Sequence, residues 1–245
     1  TADLNWFPSY RALGDRYRVI ALDHRGHGRG LRSRRPFRLD DCADDVAALA
    51  DVLGLGRFTA VGYSMGGPIA QLLWRRHPGL IDGMVLCATA QRFSREDLAS
   101  QLYVAGLIGV SVASRLTPPF VRRSISEAMI QRRLHGLAMR DWAASELARN
   151  DPVAVLEAGI ALRTFDSSPW VSTIDVPTGV VLTKKDQAVS PRRQLMLKEA
   201  ITGATLHPVD GDHTVCVNDY KAFVPVLVEA VASVTDRARR MASSP

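Results

Sequence analysis

The residues best suited to chemistry lie in the run Phe58-Thr-Ala-Val-Gly62-Tyr63-Ser64-Met65-Gly66-Gly67. Gly62, Ser64 and Gly66 form a Gly-x-Ser-x-Gly pattern, with an apolar strand-like run before it and an amphipathic helical pattern after it. A serine between such elements sits on a strained turn, with its hydroxyl exposed above the strand ends. Gly62 and Gly66 are expected to let strand and helix approach closely, with Tyr63 and Gly67 completing the elbow. A helix starting there would turn unpaired N–H groups, Met65's among them, toward developing negative charge. The chemistry implied is nucleophilic attack by Ser64 with an oxyanion held at Met65.

The surrounding pattern alternates. Strands are predicted at Arg18–Leu22, Phe58–Val61, Met84–Ala88, Gly179–Thr183 and Ala204–Val209. Helices are predicted over Phe7–Leu13, from Leu39 (capped by Asp40 or Asp41) to a stop at Gly54, over Met65–His77, from Ser190-Pro191, and from Asn218 to about Arg239. Strands and helices in this order indicate an α/β fold, with a mostly parallel sheet covered by helices on both faces. The stretch from about Ala90 to Thr173 interrupts the alternation. It reads as several helices with breaks at Thr117-Pro118-Pro119, Asn150-Asp151-Pro152 and Ser168-Pro169. The organisation expected is a core over 1–89, a helical cap over 90–173 and the rest of the core over 174–245. A cap of this kind would overhang the strand ends, where open α/β sheets bind ligands.

With these elements in place the chain resembles the α/β-hydrolase family over essentially its whole length. The resemblance implies a catalytic triad in the order serine, acid, histidine. Asp186, in Thr-Lys-Lys-Asp-Gln-Ala-Val-Ser-Pro after the fourth strand, is similar to the family's acid loop. His213, in Gly211-Asp212-His213 after the fifth, is similar to its histidine loop. In that reading His213 takes the proton of Ser64, and Asp186 fixes the imidazole tautomer and stabilises the imidazolium. Asp210 and Asp212 compete for the acid role, but neighbours on one tight loop rarely face each other. Ala88-Thr89-Ala90, the alternative acid position, contains no carboxylate. Asp23-His24-Arg25-Gly26-His27-Gly28 resembles a loop that is structural in most members. Two histidines three apart without further ligands argue against a metal there. His77 falls at a helix end, His135 in the cap and His207 within a strand.

A serine at the elbow points to attack on a carbonyl: an ester, thioester, lactone or activated C–C bond. The leading expectation is cleavage of a carboxylic ester through an acyl-enzyme, without cofactor or metal. Lactonase, C–C hydrolase and cofactor-free perhydrolase use the same triad, and a non-catalytic binding protein on the same scaffold is the reading from another class. Leu, Val, Ile and Ala in the cap, with Phe120, Trp142 and Trp170, suggest a largely apolar acyl pocket.

The resemblance also sets an expectation at the front. Thr1 to Trp6 resembles the residues just after the family's oxyanion loop, so that loop and the strands before it are expected to be absent from this sequence. The chain then reads as an N-terminally truncated fragment, inactive or poorly soluble by itself. A strand-wide slot is expected between Arg18–Leu22 and Phe58–Val61.

The bulk properties fit a globular enzyme. Of 245 residues, 47% are hydrophobic and 23% charged, enough for a sizeable core. The formal net charge of +6 comes mostly from arginines in three separate groups: 32, 34 and 35; 122, 123, 132 and 133; 237, 239 and 240. Charges scattered in this way argue against a nucleic-acid reader. No apolar run is long enough to insert stably in a membrane. The partner expected is a small acyl substrate. Cys42, Cys87 and Cys216 form no CxxC pair, which fits a reducing, cytoplasmic compartment.

Overall fold

The computed structural model describes residues 1–93, 98–118, 121, 124 and 140–243. Phe120, His135 and the arginines at 122, 123, 132 and 133 lie outside the described residues. Contacts divide the chain into two compact units. One holds residues 8–18, 39–93 and 164–245; the other holds residues 1–7, 19–38 and 94–163.

The first of these units is built on four parallel strands in the order β1-β2-β3-β4. They are β1 (Phe58–Tyr63), β2 (Ile81–Cys87), β3 (Thr178–Thr183) and β4 (Thr205–Val209). In β2, the consecutive residues Met84, Val85, Leu86 and Cys87 are all completely buried. Successive side chains point to opposite faces, so burial of both parities means that both faces are covered. The covering helices are α3 (Gly66–Arg76), α7 (Pro191–Ala200) and α9 (Tyr220–Ser243), the last preceded by the short α8 (Val215–Asn218), while α2 (Leu39–Val52) packs against α3. A Cβ on Gly83 or Gly179 would meet Val234, so these glycines let α9 lie close to the sheet.

Local chemistry accounts for the helix limits. Asp40 and Asp41 fall inside the first turn of α2 rather than before it, where they offset the positive end of the helix dipole. Gly54 ends α2 with φ 58°, a conformation open to glycine at little cost. Ser190 precedes α7 and Pro191 opens it, although the Ser190 hydroxyl makes no capping bond. Asp44 joins α2 to α3: it accepts Arg76 Nε at 2.9 Å and Nη2 at 2.7 Å, and pairs with His77 Nε2 at 2.8 Å. The Arg76 hydrogen bond holds the Asp44 carboxyl down at about 2. Asp44→Ala is expected to lower stability by about 0.3–1 kcal/mol, small because the pair is partly exposed and screened. Because the folded pKa is depressed, this contribution is present above about pH 4 and fades as pH falls toward about 2. Urea melts of both proteins at pH 7 and at low pH would show the difference.

Arg18–Leu22 corrects the sequence reading. It forms no strand and joins no ladder. A strand exists through pairing, whereas Arg18 to Ala21 are exposed, with Val19 and Ile20 each 39% accessible, so water can serve their backbone groups.

The other unit contains α4 (Leu98–Leu116), α5 (Arg140–Ala148) and α6 (Pro152–Thr164). The helix α1 (Ala2–Gly14) begins in it and starts earlier than Phe7–Leu13 suggested. Glu157 on α6 is buried and accepts Arg115 Nε and Nη2 at 2.8 and 2.9 Å, Ser111 Oγ at 2.8 Å and Phe37 N at 2.8 Å. Asp23 accepts the Ala2 and Arg29 amides at 2.6 and 2.8 Å. His27 Nδ1 lies 3.0 Å from the Arg25 carbonyl oxygen, and burial pushes its pKa down. These bonds make Asp23–Gly28 a structural loop.

Candidate active site

Ser64 follows β1 directly and precedes α3, which starts at Gly66 with Met65 as its N-terminal neighbour. Its φ of 50° is unusual for a residue with a side chain. Three bonds hold it there. Ser64 N donates to Cys87 O at 2.9 Å, and Ser64 O accepts Thr89 Oγ1 at 2.8 Å and Gly67 N at 3.0 Å. Thr89 follows a second left-handed residue, the fully buried Ala88 at φ 48°.

The glycines divide differently from the sequence reading. A Cβ on Gly62 would strike the backbone of Gly66, and one on Gly67 would strike Thr89. A Cβ on Gly66 would meet nothing within 4 Å. The close approach therefore rests on Gly62 and Gly67, not Gly66. Gly62→Ala is expected to destabilise the protein by about 1–3 kcal/mol, as overpacking against backbone does, and to lower activity. Gly66→Ala should stay within about 0.5 kcal/mol. Thermal melts of the two variants side by side would separate them.

Three side chains form a continuous relay. Ser64 Oγ lies 2.9 Å from His213 Nε2, and His213 Nδ1 lies 2.8 Å from Asp186 Oδ2. His213 stands on the loop after β4, and Asp186 on the loop between β3 and α7. Asp186 Oδ1 accepts the Ala188 and Val189 amides at 2.9 and 2.8 Å, and Oδ2 accepts Thr183 Oγ1 at 2.8 Å. Burial raises the Asp186 pKa. The hydrogen bonds from His213, Val189 and Thr183 and the charge of His213 outweigh it, so the net shift is downward. An ionised carboxylate only accepts hydrogen bonds, so Nδ1 carries the ring proton and Nε2 is left to accept from Ser64.

Neither competing carboxylate occupies the acid position. Asp210 pairs with Lys185 Nζ at 3.1 Å, and Asp212 accepts Thr214 N and Oγ1, both at 2.7 Å. His77 bonds Asp44, and His207 lies within β4 with Nε2 3.0 Å from Thr205 Oγ1. No group of three or more potential metal ligands occurs among the described residues.

Several supporting groups escaped the sequence reading. Gln194 on α7 is fully buried and bonds to Thr183, Asp186 and Val189. It lies three residues before the buried Leu197 on the same helix face, with the buried Ile201 just past the helix end, so a polar residue in an apolar phase was the available signal. Tyr63 donates its hydroxyl to His213 O at 2.9 Å, and burial pushes its pKa well up. Trp170 was expected near the acyl pocket. It instead stacks on Trp74 in a groove of about 780 Å³ that includes Ile81 and Pro177, at the start of β2 and just before β3, the opposite end of the strands from Ser64.

The fold and the sequence agree with known proteins. The profile of the family described as "alpha/beta hydrolase fold" matches residues 3–220. A protein of Agrobacterium fabrum named "Putative carbamate hydrolase RutD" is 30% identical over 89% of this chain and 84% of its own length. The 3-oxoadipate enol-lactonase 2 of Acinetobacter baylyi is 25% identical over 89% of this chain and 80% of its own. Among solved structures, the enol-lactonase of Burkholderia xenovorans LB400 superposes with a TM-score of 0.76 at 25% identity, covering 94% of this chain and 87% of that one. The esterase EaEST of Exiguobacterium antarcticum has the same TM-score at 23% identity, covering 94% and 87%, and shares the fold. With the family profile spanning most of its length, this chain belongs to the α/β-hydrolase family.

Proposed function

We propose that the protein is a serine hydrolase that cleaves a carboxylic ester or related acyl bond through an acyl-enzyme on Ser64. The observation that carries this reading is the unbroken relay Ser64–His213–Asp186. As Ser64 Oγ bonds to the substrate carbonyl carbon, its proton passes to His213 Nε2. The imidazolium that forms is stabilised by Asp186, which keeps its negative charge. The oxyanion of the tetrahedral intermediate is held by the Met65 N–H at the start of α3. As the intermediate collapses, the bond to the leaving group breaks and His213 returns the proton to it. Water then attacks the acyl-enzyme by the same route and frees the acid and Ser64.

The relatives' names sharpen the substrate class. An enol lactone is a cyclic ester whose leaving oxygen stays tethered to the acyl part, and a carbamate carries both nitrogen and a second oxygen on its carbonyl carbon. The lactone is the second reading, since a curated relative and a solved neighbour are both enol-lactonases. In this account the protein works in a reducing cytoplasm with its three cysteines free. Stopped-flow mixing with a chromogenic short-chain ester tests the reading. A burst of one leaving group per protein, followed by turnover, is expected. Neither burst nor turnover with the ester, the enol lactone or a carbamate would favour a binding protein on this scaffold.

A further inference from the structure

Gln194 is bound to both ends of the segment that carries the acid. Its Oε1 accepts the Thr183 N–H at 3.0 Å, at the last residue of β3. Its Nε2 lies 2.7 Å from Val189 O, 2.8 Å from Thr183 Oγ1 and 3.3 Å from Asp186 Oδ2. An amide nitrogen has two protons. One goes to Val189 O, and the other is shared between Thr183 Oγ1 and Asp186 Oδ2. Because Thr183 Oγ1 accepts from Gln194, its own proton is left to point at Asp186 Oδ2, 2.8 Å away. The result is a directed chain in which Gln194 donates to Thr183, Thr183 to Asp186, and His213 to the same Oδ2 from the other side. Gln194 and Thr183 are both completely buried, so water does not replace these bonds in the closed structure.

We propose that Gln194 is a positioning residue of the relay: by clasping Thr183 and Val189 it turns the Thr183 hydroxyl onto Asp186 and limits how strongly that carboxylate holds the imidazolium of His213. The inference rests on the hydrolase reading of Ser64, His213 and Asp186. Its physical basis is competition at one oxygen. Each donor on Oδ2 withdraws electron density from the atom that stabilises the His213 proton. With fewer donors, the carboxylate holds the protonated ring more tightly, and the base is poised at a higher pH.

The other ionisable groups around the pair keep one charge through the neutral range. Hydrogen bonds to Thr214 hold Asp212 low, burial pushes Tyr63 up, and burial pushes the Cys216 thiol up to about 11. The pH dependence near neutrality therefore reports the Asp186–His213 pair.

The test uses Gln194→Met, which keeps the bulk and removes the amide, with Thr183→Val, Thr183→Ser and the double Gln194→Met/Thr183→Val. The acid limb of kcat/KM is measured for each, together with the pH titration of the His213 ring by NMR, which requires no turnover. Gln194→Met should move both the limb and the titration to higher pH by several tenths of a unit or more. Thr183→Val should do the same, Thr183→Ser should restore the original position, and the double variant should shift at least as far as Thr183→Val alone, because Gln194 Nε2 also reaches Asp186 Oδ2 directly. An unchanged or downward midpoint in Gln194→Met, or a double variant that shifts less than Thr183→Val, would overturn the proposal. If Gln194→Met does not fold, Thr183→Val against Thr183→Ser decides: no difference between their midpoints overturns it as well. The two readings fail separately. Loss of the hydrolase reading appears as no ester turnover by the unsubstituted protein, while loss of the Gln194 role appears as His213 midpoints that do not differ between the unsubstituted protein and Gln194→Met.

Discussion

Ser64→Ala, His213→Ala and the double Ser64→Ala/His213→Ala are expected to lose nearly the same activity, roughly 10⁶-fold in kcat on a short-chain ester. The reason is that the two side chains act as one unit. Ser64 Oγ and His213 Nε2 are 2.9 Å apart, and a hydroxyl is a poor nucleophile until that nitrogen takes its proton. Once either member is gone, removing the other subtracts nothing further. A residual rate from the Met65 N–H and from substrate binding should remain above that of water. Steady-state kinetics on the three variants would check this. Multiplicative losses, with the double variant far below both singles, would mean that the two residues act independently.

Asp186→Asn is expected to lower kcat about 10⁴-fold with the fold retained. The surrounding donors dictate how the new amide must sit. The Ala188 and Val189 amides donate to the Oδ1 position, so the Asn oxygen is held there. The amide nitrogen then takes the Oδ2 position, 2.8 Å from His213 Nδ1. Being a donor, it requires Nδ1 as acceptor, which moves the ring proton to Nε2, facing Ser64. His213 in that tautomer cannot accept the Ser64 proton. The amide nitrogen also faces Thr183 Oγ1 and Gln194 Nε2, both donors in the native protein. A loss of stability should therefore accompany the loss of activity. That loss should shrink as pH falls, because the depressed Asp186 pKa stabilises the folded protein above the usual aspartate value and that contribution fades through the folded one. Kinetics, with denaturant melts at two pH values, would show both effects.

The sequence made the site easier to read than its support. The strand, the sharp turn and the helix around Ser64 are local features, written in consecutive residues, and the structure has β1 ending at Tyr63 and α3 beginning at Gly66. Asp186 and His213 lie on short loops after apolar runs, so family resemblance could place them, and the geometry joins them to Ser64. The fold class followed from the same alternation. Arg18–Leu22 was misread because an apolar run shows the propensity for a strand but not whether a neighbour is there to pair with it. The Gly66–Gly67 contrast was hidden for a related reason. That Gly67 meets an obstacle depends on Thr89, 22 residues further along, and no local pattern reports that contact. Gln194 and Thr183 were missed because their partners are set by how α7 returns against β3. Trp170 was assigned to a pocket on composition, and its stacking on Trp74 is a tertiary fact.

The most direct test of the central claim is the site of covalent reaction with a fluorophosphonate, mapped by peptide mass spectrometry. One adduct per protein is expected, on the peptide containing Ser64. It should be absent in Ser64→Ala and should form far more slowly in Asp186→Asn, where the base is in the wrong tautomer. An adduct on another residue, one that persists in Ser64→Ala, or no adduct on the folded protein would contradict the assignment of Ser64 as the nucleophile.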